Sequence, residues 1–89
     1  MSLGLAINKI SEYTSFIGVI AEKVADLEAE LVKATANKND NAVRDVQRQL
    51  TLYKTLLGLV KDFLEFWKEM IKSVLALLKS FNELAQGAR

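Results

Sequence analysis

Carboxylates are the side chains of this sequence best suited to acid–base or metal chemistry, and they recur on helix surfaces, as in Asp26, Glu28 and Glu30, or Asp62, Glu65 and Glu69. Histidine and cysteine are absent, so the commonest activators of a nucleophile and the commonest zinc ligands are missing. A di-metal carboxylate bundle would need Glu-x-x-His on an inner helix face, and none occurs; nor does a glycine-rich phosphate loop. Lys23, Lys33, Lys61, Lys68 and Lys72 interleave with the acids at three and four residues, the spacing of ordinary ion pairs on helix surfaces. The sequence therefore predicts no catalytic residue, no cofactor and no metal. It reads as a non-enzyme.

The remaining chemistry is aromatic and aliphatic. Trp67, Phe63 and Phe66 form a cluster at helical spacing, with Phe16 expected nearby. Such a stripe serves either as core or as an anchor between subunits, where aromatics concentrate. Tyr53 could carry its hydroxyl to the edge of a packed seam and bond a neighbouring polar group there.

The elements that position these residues follow from apolar spacing. From Val43 onward, apolar residues recur at steps of three and four through Val46, Leu50, Tyr53, Leu57, Val60, Leu64, Trp67, Ile71, Val74, Leu78, Phe81 and Ala85. Only a helix in a coiled coil keeps such positions on one line. An earlier seam runs through Leu3, Ala6, Ile10, Tyr13, Ile17, Ile20, Val24, Leu27, Leu31 and Ala34. Between the two lies Asn37-Lys38-Asn39-Asp40-Asn41, whose side chains bond their own backbone and favour a turn. Asp40 or Asn41 is expected to cap the second helix, and Gly87 to end it. The expected single domain, residues 1–89, is thus a helix over 3–36, a turn at 37–41 and a helix over 41–86.

A turn this short folds the helices antiparallel. Matching the seams pairs Leu31 with Val46, Val24 with Tyr53, Ile17 with Val60, Ile10 with Trp67 and Leu3 with Val74. The expected hairpin core is therefore Ile10, Ile17, Val24, Leu31, Val46, Leu50, Tyr53, Val60 and Trp67. Helix two, the longer, overruns helix one after about Leu75 and carries Leu77, Leu78, Phe81 and Leu84 beyond it; a kink folding this stretch back is the competing expectation.

Helix two also has a second apolar row beside its seam: Leu52, Leu56, Leu59, Phe63, Phe66, Met70, Leu77 and Leu84. Helix one is narrower. Beside its seam it offers Phe16, Val19 and Ile7, broken by Lys9, Lys23, Asp26, Glu28 and Glu30. One narrow helix does not cover so wide a face, so the second row is expected to contact other subunits. Gly18 and Gly58 fall at nearly the same height of the hairpin, either as a thin spot for a neighbour's backbone or as neutral surface positions.

Composition sets the frame. Eighty-nine residues make one small domain, yet 51% are hydrophobic, more than a two-helix hairpin encloses. The 12 Lys and Arg balance 11 Asp and Glu without any block of like charge, which argues against a nucleic-acid footprint. No apolar stretch approaches the roughly 20 residues of a membrane span, and the N-terminal residues lack the basic and apolar regions of a Sec signal peptide.

The stretch from Asn39 to Lys54, with Gln47, Leu50 and Tyr53 at helical spacing, resembles the turn and second-helix start of type III secretion needle and inner-rod subunits. Lys61-Asp62-Phe63-Leu64 and the run Lys68 to Val74 resemble the alternation of charge and aliphatics in that family's C-terminal helix. The resemblance covers residues 39–74 and implies a secreted hairpin polymerised helically into a tube. The family's turn usually carries proline, which is absent here, and this helix is longer and more apolar, which leaves a different filament or a closed bundle open.

The leading expectation is an all-α antiparallel coiled-coil hairpin that assembles with copies of itself into a larger bundle or filament. An adaptor or secretion chaperone, binding the amphipathic helix of a partner protein, is the second reading. A membrane-active hairpin, with Lys54, Lys61, Lys68, Lys72 and Lys79 flanking an inserted apolar face, is less favoured because the polar face is mixed in sign. A needle-like role places the protein outside the cell or at its surface, and otherwise in the cytoplasm.

Overall fold

The computed structural model describes residues 2–87. Two helices account for nearly all of them: α1, Leu3–Ala36, and α2, Asp40–Gly87. The fold is all-α, with two long helices packed side by side in a rod measuring 77 × 17 × 15 Å. Helix α2 runs unbroken to Gly87, so the overrun does not fold back. Gly87 is still helical, and any cap after it lies outside the described residues.

Helix α1 starts where its cap puts it. Ser2 is extended (φ −85°, ψ 149°) and its Oγ accepts a hydrogen bond from the Leu5 N–H at 3.1 Å, satisfying one of the donors a helix start leaves open. The far end closes in a tight turn. Asn39 N–H donates to the Ala34 carbonyl at 3.0 Å and Lys38 N–H to the Thr35 carbonyl at 3.1 Å, the paired bonds of a Schellman motif.

Lys38 takes the left-handed conformation this motif requires, with φ 55°. Asn39 then caps α2: its Oδ1 accepts from the Ala42 N–H at 3.2 Å, and its carbonyl accepts from Val43 N–H at 2.9 Å. The cap is thus Asn39, not Asp40 or Asn41, and α2 begins one residue earlier than the expected 41. One residue closes the first helix and opens the second, which leaves no room for a longer turn.

Burial is greatest near that turn. Leu27 is only 1% exposed and clusters with buried Val46 and Leu50, against which Val24, Leu31 and Tyr53 pack. Ala34, beside the turn, and Ile20, Leu64 and Ala6, farther along, are also buried. Of the expected core residues, Val46 and Leu50 are buried, whereas Ile10, Ile17, Val24, Leu31, Tyr53, Val60 and Trp67 are half-buried. A pair of helices encloses only the positions nearest its axis; the rest of the seam lies along its edges, half open to solvent.

Candidate functional site

Seven residues over two turns advance each position by about 103° around a coiled-coil helix. On that wheel the second row of α2 sits about 100° round from the seam that meets α1. The structure leaves that row open. Leu52, Leu56, Leu59, Phe63, Phe66, Leu77 and Leu84 are exposed, Leu52 by 64% and Leu84 by 69%, while Met70 is half-buried. Leu59, Phe63 and Phe66, with Asp62 at the rim, line a shallow groove at the middle of this face.

Contacts between the helices show how the two flanks of the hairpin differ. On one flank Lys54 Nζ lies 3.6 Å from Glu28 Oε1, an exposed pair of small energetic weight. On the other, the Tyr13 and Phe63 rings stack with centroids 6.0 Å apart and planes at 23°. Lys23 Nζ lies 5.9 Å from the centroid of the Tyr53 ring, within reach of a cation–π attraction. Leu5, Phe16 and Val19 of α1 fall on this second flank by heptad position and are exposed. The apolar face is therefore shared: a full row from α2, and a partial one from the first half of α1.

Tyr13, not Phe16, is the ring that meets Phe63, because Tyr13 occupies the seam and Phe16 stands beside it, 54% exposed. Phe66 meets Trp67 edge to face, with centroids 5.6 Å apart and planes at 78°. The Trp67 indole Nε1 is buried without an acceptor, a desolvated donor in an otherwise apolar seam. Gly18 and Gly58 have open space where a Cβ would stand, so no close approach within the hairpin requires glycine at either position. Leu5 is the member of the face that the sequence reading passed over, since Lys9 and Glu12 interrupt its row before Phe16.

Of the acidic groups expected to form surface pairs along their helix, Glu65 pairs with Lys68 at 3.6 Å and Glu69 with Lys72 at 3.1 Å, each one helical turn apart. Glu28 pairs across the hairpin instead, and Asp26, Glu30 and Asp62 form no ion pair among the described residues. Among the described residues, no three His, Cys, Asp or Glu side chains are placed to hold a metal ion, and no helix is long and apolar enough to cross a membrane. Compared with known proteins, the chain matches no family model, no curated protein and no solved structure. Its own surface is the guide to its role.

Proposed function

We propose that the protein is a structural subunit that assembles with copies of itself, using the broad apolar face of α2 as its principal contact. The observation that carries this reading is the uninterrupted exposed run Leu52, Leu56, Leu59, Phe63, Phe66. It keeps the same three-and-four spacing as a buried seam but is left largely open, touched by the Tyr13 ring at Phe63. Scattered exposed leucines are ordinary, whereas a contiguous row marks an interaction site. Burying each large side chain fully is worth about 1.5–3 kcal/mol, a strong drive toward association.

A helical filament or tube, as in secretion needles, is the assembly favoured here. The turn-proximal sequence resembles those subunits, and a rod with apolar surface along much of its length suits repeated lateral contact. Contacts between unlike surfaces propagate as open helices unless their rotation closes a ring. Electron microscopy of the purified protein tests this directly, with filaments or tubes as the expected result. A stable species near 9.9 kDa in sedimentation at micromolar concentration contradicts the proposal.

A further inference from the structure

On the flank that carries the apolar row of α2, helix α1 supplies charge as well as apolar surface. The Tyr13–Phe63 and Lys23–Tyr53 contacts bracket Phe16 and Val19 and set them level with residues 57–60 of α2, beside Leu59. On one side of this patch α1 carries Lys9 and Glu12, paired with each other at 3.1 Å. On the other side it carries Lys23 and Asp26, both exposed, and Asp26 has no ion pair among the described residues.

We propose that a second copy lies over this flank with α2 antiparallel to α2 and α1 antiparallel to α1, the two hairpins making a four-helix bundle. The inference rests on the self-assembly reading and specifies its first contact. The two-fold axis crosses the rod at Leu59 of α2 and between Phe16 and Val19 of α1. Leu59 then meets its own counterpart, Leu56 meets Phe63 of the other copy, and Leu52 meets Phe66 of the other copy. Along α1, Phe16 meets Val19 of the other copy. The same register sets Lys23 against the other copy's Glu12, and Asp26 against the other copy's Lys9, each twice by symmetry.

One register thus matches both the apolar row and the charges beside it, and this self-complementarity identifies a second copy as the occupant. A two-fold axis along the rod would instead lay α1 over α2, putting Lys9, Glu12 and Lys23 on the apolar row with no opposite charge to meet. The five side chains of the α2 row, with Phe16 and Val19, are 43–66% exposed. At roughly 90 Å² apiece they offer about 1,200 Å² for the pair before the charged edges are counted, enough for a specific interface. Beyond Leu78 each α2 runs past the turn of the other copy, so neither chain crosses the other's seam. A two-fold contact closes on two copies, and a longer filament would join such pairs through surface outside it.

The absence of cysteine makes the register readable. Full-length Glu12→Cys and Lys23→Cys proteins, one isotopically labelled, are mixed in equal amounts and treated with a short dimaleimide cross-linker, and the unmodified protein is sedimented alongside. The expected cross-linked dimers hold mainly one chain of each kind, and adding Leu59→Asp to both chains abolishes them while circular dichroism stays helical. Dimers in statistical or like-with-like proportion, or cross-links that survive Leu59→Asp, overturn the inference. Assembly in sedimentation without any cross-link means that the contact lies elsewhere, which overturns the inference but leaves self-assembly standing. An unmodified protein that sediments as a monomer overturns both.

Discussion

Lys38 and Asn39 together make the turn, and they divide its work in a way composition conceals. The cluster of Asn and Asp marked the turn, but the residue in the left-handed conformation is the lysine between them. Nothing in a lysine side chain signals that role; it falls to Lys38 because the two bonds to Ala34 and Thr35 fix the position after Asn37. A non-glycine residue in that region costs roughly 1–2 kcal/mol. Lys38→Gly is therefore expected to stabilise the hairpin by about 0.5–1 kcal/mol, part of the relief being offset by the freer unfolded chain. Urea unfolding at matched protein concentration reads the change, and a lower midpoint for the variant refutes it. Asn39→Ala, which removes the acceptor for the Ala42 N–H, should cost about 1 kcal/mol. Asp40→Ala and Asn41→Ala should cost less in the same assay, since neither side chain caps the helix.

The two helices were the most legible elements, because a step of three and four sustained over so many residues has one structural solution. Less legible was which seam positions are enclosed. In α1 the deepest residues are Ala6, Ile20, Leu27 and Ala34, while the alternate row Ile10, Ile17, Val24 and Leu31 is half-buried. Periodicity places both rows on one stripe and does not say which leans toward the single neighbour. The energetic consequence is direct. Leu27→Ala should lower stability by about 2–5 kcal/mol, and Val60→Ala, at a half-buried seam position, by about 1–3 kcal/mol. Equal losses in denaturant titrations would mean that the seam is enclosed evenly, contrary to the burial seen here. Gly58→Ala, with open space around its Cβ, should stabilise the isolated hairpin by about 0.5–1 kcal/mol. If the same change also impairs assembly, a neighbouring subunit packs against that thin spot.

As a whole the molecule is an extended rod. Its radius of gyration is 21.2 Å, against about 12 Å for a compact domain of this length. A rod of two helices exposes much of its apolar surface, and the excess of hydrophobic residues in the composition is the sequence-level trace of that shape. The number of subunits in the proposed assembly would leave no such trace, because a row of leucines does not encode the symmetry of what covers it. What the row does permit is a separation of folding from assembly. Phe66 and Leu77 are 53% and 56% exposed, so a carboxylate at either position stays solvated in the isolated hairpin and leaves its helices largely intact. In an interface the same carboxylate would be stripped of water without a partner, a cost of several kcal/mol. Phe66→Glu and Leu77→Glu should each abolish assembly while circular dichroism stays strongly helical, whereas Leu27→Ala should weaken the fold first and assembly only through it. If both glutamate variants assemble normally, the two side chains face solvent in the oligomer, and its contacts must lie on another part of the surface.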